Sequence, residues 1–293
     1  MNLAEINSTR SLGKTGFSVS SIGVGTNRWR KDGNDAAVAE TYRTLIDGGI
    51  DFVDTAEIYG FGKSERLIGD CLTAHPKPAF VASKFAPFVA RMSAKSLMSA
   101  LDSTLVRLGR KTIDLYYIHF PFPFANLDAL TDALAEAVKA GKARAVGVSN
   151  FKADQMRRAA DRLARAGIPL AANEVHYSLL HRDPERNGVL DACKETGASL
   201  VAYFPLASGR LARGPDAAKP DRFDPLRRTL GEIAERHQAS AAQVALNWLL
   251  ARDPCIIPIP GATKAAHARA NISALSVQLS ADEFARIDAA SHR

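Results

Sequence analysis

The sequence predicts a (β/α)8 TIM barrel with an N-terminal β-hairpin cap and an extra C-terminal helix. Eight short apolar runs alternate with helical patterns at roughly thirty-residue spacing, the rhythm of parallel βαβ units. The 293 residues match a barrel, which takes about 250, plus two additions. No Gly-x-Gly-x-x-Gly follows the first run, where IGVGTN is only partly similar, and this weakens the competing closure, a doubly wound open sheet. No linker, internal repeat or low-complexity stretch divides the chain, so residues 1–293 are expected to form one domain.

Taken in order, Ser11 to Ser20 has hairpin form: a Lys-Thr-Gly turn followed by FSVS with alternating apolar residues. The candidate barrel strands are Ile22–Gly25, Asp51–Asp54, Phe80–Lys84, Asp114–His119, Ala145–Ser149, Ala171–Val175, Leu200–Tyr203 and Ile256–Ile259. Helical patterns lie between them. Asp35 to Ile46 is the first, and Ser64 to Leu72 the second, with Glu65, Arg66 and Asp70 outward. In the third, Ser93 caps, Leu97, Leu101, Leu105 and Leu108 recur at helical spacing, and Gly109 closes. Leu127, Leu130, Leu134 and Val138 share one face of the fourth, which ends at Gly141. Further helices are expected from Lys152 to Ala164, from Asn187 to Glu195, after a Ser240–Gln243 capping box, and from Asp282 to Ala289. Gly209 to Arg228, rich in Pro, Asp and Arg, is expected to be a mobile loop near the barrel mouth.

Composition narrows the function. A hydrophobic fraction of 46% with 24% charged residues is ordinary for a globular enzyme. No apolar run approaches the roughly 20 residues that span a bilayer, and MNLAEINSTRSLGKTG lacks an apolar signal-peptide core, so a cytoplasmic protein without membrane partners is expected. The net charge is +7, but Lys and Arg are scattered and no basic stripe is interleaved with stacking aromatics. An anionic small molecule, such as a phosphorylated cofactor, explains the surplus at least as well as nucleic acid, and no nucleic-acid partner is expected. Cys71, Cys193 and Cys255 are far apart and odd in number, which gives neither a disulfide framework nor a metal cluster. Histidines and carboxylates at metal-ligand spacing are also lacking, so no metal is expected.

Four of the candidate strands finish in polar or ionisable groups: DFVD in Asp54, FVASK in Lys84, DLYYIH in His119, and ARAVGVSN in Ser149 and Asn150. Tyr59 follows Asp54 by five residues. In a barrel these groups meet at the C-terminal rim, where active sites are built. A free phenol, titrating near about 10, is a poor acid at neutral pH; an adjacent ammonium lowers that value. Lys84 can supply the charge, Asp54 can hold Lys84, and His119 can orient a substrate oxygen. The set suits proton transfer at a carbonyl or alcohol oxygen but has no electron source, so a hydride donor is required. Lys84 taken alone is also compatible with a Schiff-base aldolase.

Over nearly its full length the chain resembles the aldo-keto reductase superfamily. The resemblance is carried by SLGKTGFSVSSIGVGTN, DFVDTAEIYGFGKSERLIG, VASK, DLYYIHFP, GKARAVGVSNF, NEVHYSLLHR, VAYFPLASG and IPIPGATK, in the family's order and spacing. The branch most similar includes bacterial and plant pyridoxal-reductase-like members and potassium-channel β subunits. The resemblance implies a catalytic tetrad of Asp54, Tyr59, Lys84 and His119, with Tyr59 the general acid in reduction. It also implies NADP(H), with NAD(H) the alternative, lying across the rim. Gly25 and Thr26 match first-strand contacts, with Asp54 beside them; Ser149, Asn150 and Glu174 match the carboxamide clamp, and Tyr203 the ring stacked on the nicotinamide. Pro205, Leu206 and Ser208 match the pyrophosphate loop. Gly261, Thr263, His267 and Asn271 match the adenosine-phosphate site, with Lys264 and Arg269 as further cations for a 2′-phosphate.

The chain departs from the family pattern at Glu174, usually Gln; at His267, often Arg; at Ala270, often Glu; and at Phe204, commonly Ser. A Glu174 carboxylate could accept from a carboxamide NH2 but could not donate to its carbonyl. Loop aromatics Trp29, Phe61, Phe85, Phe88, Phe120, Phe122 and Phe124 suggest an apolar or aromatic carbonyl substrate. Trp29, Tyr59, Phe85, His119 and Phe120 are expected to form its pocket. The expected protein is thus a monomeric or weakly homo-oligomeric NADP(H)-preferring reductase of small-molecule aldehydes or ketones. A redox-sensing cofactor-binding subunit is the alternative from another class.

Overall fold

A computed structural model describes residues 6–29, 35–214 and 221–292. After an antiparallel hairpin of β1 (Thr9–Ser11) and β2 (Ser18–Ser20), eight strands form one parallel sheet in sequential order. They are β3 (Val24–Gly25), β4 (Phe52–Asp54), β5 (Phe80–Phe85), β6 (Ile113–Ile118), β7 (Ala143–Ser149), β8 (Leu170–His176), β9 (Ser199–Tyr203) and β10 (Ile256–Ile259). Backbone bonds from Gly23 to Pro258 (2.9 Å) and Gly25 to Pro260 (3.3 Å) bring the last strand against the first, and a Gly25–Gly261 bridge continues the seam. Glycine is needed here: a Cβ on Gly23 would sit 2.7 Å from the Phe52 ring.

Strand periodicity of two sorts each strand into a barrel face and a helix face. Phe52, Phe80, Ala82, Leu115, Tyr117, Ala172, Val201 and Ile257 fill the barrel interior, while their neighbours Val53, Val81, Tyr116, Leu200 and Ala202 pack under the helices. The hairpin seals the N-terminal end. Leu12 and Val19 join the interior cluster, Gly13 N–H bonds Ser199 Oγ at 2.9 Å, and Arg144 lies 4.3 Å over the Phe17 ring. Burying an aliphatic side chain of this size stabilises the fold by roughly 1.5–3 kcal/mol.

The surrounding helices are α1 (Asp35–Asp47), α2 (Lys63–Ala74), α3 (Ala94–Leu108), α4 (Leu127–Lys139), α5 (Ala153–Ala164), α6 (Asp183–Arg186), α7 (Val189–Thr196), α8 (Asp224–Arg236), α9 (Ala241–Arg252), α10 (Ala265–Ser273) and α11 (Ala281–Ser291). Ser93 caps α3 through Ser96 N–H, and the Ser240–Gln243 capping box opens α9, as their sequences predict. The extra helix α11 packs against α8 and α9, with Phe284 stacked on Trp248 at 5.6 Å. Among the described residues no helix is long and apolar enough to cross a membrane.

Two expectations are corrected. Glu65 does not face outward: it is fully buried, accepting from Ser83 Oγ at 2.6 Å and pairing with Arg107 at 2.5 Å. Ser83 points out of the barrel by strand parity and meets α2, so the carboxylate turns inward. The second concerns 209–228. Residues 215–220 lie outside the described residues, but α8 already begins at Asp224, with Pro225 in its first turn and Arg227 paired to Asp224 at 2.6 Å. That part is helix.

Candidate active site

The parity that builds the core also aims the polar residues. Asp54 lies two residues beyond inward Phe52, Lys84 beyond Ala82, His119 beyond Tyr117, Glu174 beyond Ala172 and Tyr203 beyond Val201. Each strand therefore ends by turning an apolar lining into a polar rim at its C-terminal end. Tyr59 arrives from the β4–α2 loop, which is tied down at several points. Glu57 accepts from Ala86 N–H (2.8 Å) and pairs with Arg91 (2.9 Å), and Ser64 Oγ links Thr26 and Thr55.

At the centre Lys84 is fully buried. Its Nζ is 2.5 Å from Asp54 Oδ1, 2.8 Å from Thr55 O, 3.3 Å from Glu174 Oε2 and 5.4 Å from the centre of the Tyr59 ring. Burial alone would discharge it, but Asp54 and Glu174 outweigh desolvation and keep the ammonium charged. The Tyr59 phenol is pushed above its ordinary range, first by burial and then by the two carboxyls, against the lowering pull of Lys84. This corrects the expectation that Lys84 brings the phenol down: the pull exists, but burial is larger. His119 meets Tyr59 edge-on at 5.9 Å, and burial and Lys84 lower its imidazole to about 3, so it is neutral at pH 7. The arrangement keeps a protonated phenol, a charged ammonium behind it and a neutral imidazole at its side.

These groups open on a cavity of about 530 Å3. Asp54, Tyr59, His119, Gly25, Thr26, Ser149, Asn150, Glu174, Tyr203, Pro205, Leu206, Ser208, Gly261, Thr263, His267 and Asn271 all line it, so the structure brings the predicted cofactor residues together around one trough. Lys84 lies behind the lining, and Lys264 and Arg269 are exposed outside it. Ala270 and Phe204, two of the departures from the family pattern, line it as well.

Local structure shapes the trough. Ser149 Oγ and Asn150 N–H both donate to Glu174 O at 2.9 Å, and Tyr203 donates to Asn150 Oδ1 at 2.9 Å. Behind Tyr203 lies a stack of rings, His176 at 5.5 Å and then His181 at 4.0 Å from His176. After β9, Phe204, Ala207 and Ser208 all adopt positive φ (50°, 48° and 57°), a conformation that costs non-glycine residues energy and recurs where a chain is shaped around a ligand. Three lining residues hold buried polar atoms without a protein partner, Asp54 Oδ2, His119 Nδ1 and Asn271 Nδ2, and a fourth, Glu174 Oε2, has the ion pair with Lys84 but no hydrogen bond. A dinucleotide with amide, hydroxyl and phosphate groups fits such a lining.

The predicted substrate pocket is only partly right. Trp29 is fully buried, its indole N–H bonded to Ala262 O at 2.6 Å, and it faces the core instead of the cavity. Phe85 follows Lys84 on β5 and by parity points the other way, under the helices beside Arg91. Phe120 stays close: its ring is 5.6 Å from His119 and begins a series through Phe122 (6.5 Å) to Phe124 (6.2 Å further). Phe88 edges Phe120 at 6.0 Å, and Phe61 is 94% exposed. Sequence reasoning missed Arg28, the one lysine or arginine among the described residues that line the cavity; its place two residues after Thr26 was the available signal.

Comparison with known proteins agrees with this geometry. Residues 21–292 match the model of the aldo/keto reductase family. The 6-dehydroglucose reductase of Novosphingobium aromaticivorans is 35% identical over 282 residues, covering 92% of this chain and 90% of that protein. Chloroplastic pyridoxal reductase of Arabidopsis thaliana is 30% identical, covering 93% and 83%. Among solved structures, a thermostable aldo-keto reductase in complex with the inhibitor epalrestat superposes with a TM-score of 0.84 at 34% identity, covering 96% of this chain and 99% of that one. An aldo/keto reductase from Klebsiella pneumoniae in complex with NADP and acetate gives 0.83 at 27% identity, covering 97% and 95%. With its barrel, its polar rim and these relatives in agreement, the chain belongs to the aldo/keto reductase family.

Proposed function

We propose that the protein is an NADP(H)-preferring oxidoreductase that reduces small-molecule aldehydes or ketones to alcohols, with Tyr59 as proton donor. The observation that carries this reading is the buried Lys84 placed between two carboxyls and behind a protonated phenol at the floor of the cavity. When bound, the nicotinamide supplies the hydride. Tyr59 donates its hydroxyl proton to the substrate oxygen, and the Lys84 ammonium stabilises the phenolate left behind. His119, neutral, offers a ring hydrogen to the same oxygen and orients it. Tyr203 offers a flat ring to the nicotinamide, held by Asn150 and backed by His176. Arg28 and the loop from Pro205 to Ser208, which line the cavity, would meet the diphosphate, and Asn271 and His267 would meet the adenosine phosphate. Phe120, Phe122 and Phe124 give the substrate an apolar approach.

Several relatives support the cofactor and the reaction class, since their names describe reductases and one was crystallised with NADP. A Schiff-base aldolase is disfavoured because Lys84 is charged, doubly paired and out of reach behind the lining. The test is fluorescence titration with NADPH and with NADH, followed by a panel of apolar aldehydes. Tight NADPH binding, weaker NADH binding and cofactor oxidation on aldehyde addition are the expected result. Binding of neither cofactor would defeat the reading.

A further inference from the structure

Lys84 is one cation facing two buried carboxyls. Asp54 and Glu174 are each almost fully inaccessible, and both come within ion-pair distance of the same Nζ, at 2.5 and 3.3 Å. With both ionised, the cluster would carry a net negative charge out of water, which burial strongly disfavours. Among the described residues no other cation offsets it. The groups facing Glu174 are Asp54 from β4, Lys84 from β5, Tyr117 from β6, Tyr203 from β9 and Tyr59 from the β4–α2 loop; His119 stands beyond Lys84, and His176 follows on the same strand. All three phenols and both imidazoles are held neutral at pH 7. Asp54 Oδ2 is left without a donor, Glu174 Oε2 has only the 3.3 Å ion pair with Lys84, and the two carboxyls sit side by side against the same Nζ.

We propose that Glu174 is held as a neutral carboxylic acid that donates its proton to Asp54, making it a positioning residue and not an anionic clamp. One proton resolves every anomaly at once. It gives the orphan Asp54 Oδ2 a donor, leaves one anion for one cation, and gives Glu174 one donor and one acceptor, the pattern of the amide usual at this position. Between the two carboxyls the proton belongs on Glu174, because Asp54 makes the shorter contact with the ammonium. Burial and the Asp54 charge both push Glu174 well above the ordinary carboxylate range, in agreement with the geometry. Like charges forced together in other buried carboxyl pairs are resolved in the same way.

A consequence for turnover follows, and this part rests on the carbonyl-reductase reading. Once rising pH ionises Glu174, a new negative charge beside Lys84 and Tyr59 holds the phenolic proton more tightly and weakens it as an acid. Reduction should fall about tenfold for each unit by which the phenol is raised.

The direct test is carbon-13 NMR of glutamate side-chain carboxyls in the whole protein, labelled at that carbon and titrated from about pH 5 to about pH 10, a span covering ordinary and raised carboxyls. The expected result is one carboxyl still protonated at pH 7, missing from the Glu174→Gln spectrum. If every glutamate carboxyl of the wild type has ionised by pH 7, the proposal is wrong, whether or not the variant folds. A protonated signal persisting in Glu174→Gln overturns the assignment too. In steady-state reduction, wild type should lose activity across the same pH step and Glu174→Gln should lose the step; an identical descent in both breaks the link to turnover. Failure to reduce any carbonyl would count against the enzymatic reading and leave the NMR result standing.

Discussion

Outside the barrel, Arg182 and Arg252 hold Glu185 with both carboxylate oxygens filled: Oε1 by Tyr177 (2.8 Å) and Arg182 (2.6 Å), Oε2 by Arg182 (2.6 Å) and Arg252 (2.5 Å). Asp288 supplies the second negative charge, 2.9 Å from Arg182. Inside the barrel, the single cation Lys84 faces both Asp54 and Glu174, and Asp54 Oδ2 is left without a donor. The outcomes are opposite. Burial pushes Glu185 up, but the hydrogen bonds and charges of Arg182, Tyr177 and Arg252 together outweigh it and keep Glu185 below the ordinary carboxylate range, whereas burial and the Asp54 charge raise Glu174. A cluster whose two cations balance its two carboxylates pins α6, α9 and α11 together. A cluster with unmet polar groups beside a cavity is poised for a ligand, and this local inconsistency marks a site of chemistry.

The largest effect should come from Lys84→Met. It removes the ammonium behind Tyr59 and leaves two buried carboxyls uncompensated, so reduction should fall by about 10^2 to 10^4, the usual contribution of a positioned proton donor. Steady-state rates on an aldehyde would measure it; a loss below tenfold would place the proton donor elsewhere. Arg182→Ala should act on the other cluster alone. Breaking a buried pair on one side costs about 3–5 kcal/mol, so denaturant melts should show that loss while turnover per folded molecule stays normal. Equal stability losses in Arg182→Ala and Glu174→Gln would contradict the difference between the two clusters.

Acid and base should also separate the two. Glu185 has a depressed value, so the stability it contributes is present above the ordinary glutamate range and is lost as pH falls through its lowered folded value. Glu174 has a raised value, so its contribution is present below the ordinary range and is lost as pH rises towards its folded value. Thermal melts across pH, wild type against Glu185→Gln and Glu174→Gln, should therefore diverge at the acid end for the first variant and at the alkaline end for the second. The smallest effect is at the far end of the trough. Replacing Lys264, His267 or Arg269 singly should weaken NADPH by up to about tenfold and NADH less, because these exposed groups are screened by water. Equal losses for both cofactors in titrations would move the 2′-phosphate elsewhere.

The eight barrel strands were legible because each is a short apolar run ending in a polar residue, and the rim residues lie two positions past an inward one. The same parity, applied to Phe85, would have turned it away from the cavity beside Lys84. Trp29 was illegible because its indole found a backbone acceptor, Ala262 O, that is 233 residues away in sequence. Glu65 looked like surface because its partners, Ser83 and Arg107, come from other elements. In α8 the apolar spacing of Leu226, Leu230 and Ile233 was present, but polar residues before it masked the start at Asp224. Glu174 was read as a departure from its relatives, yet its protonation depends on Asp54 and Lys84 from two other strands, a relation that only folding supplies.

The most direct test of the account is Tyr59→Phe, with NADPH affinity and single-turnover aldehyde reduction measured on the same preparation. The variant loses one hydroxyl and keeps every residue assigned to the cofactor. Affinity within a few-fold of wild type, with reduction lost by about 10^2 or more, is the predicted result. Reduction at the wild-type rate with the phenol removed would contradict the assignment of Tyr59 and the mechanism built on it.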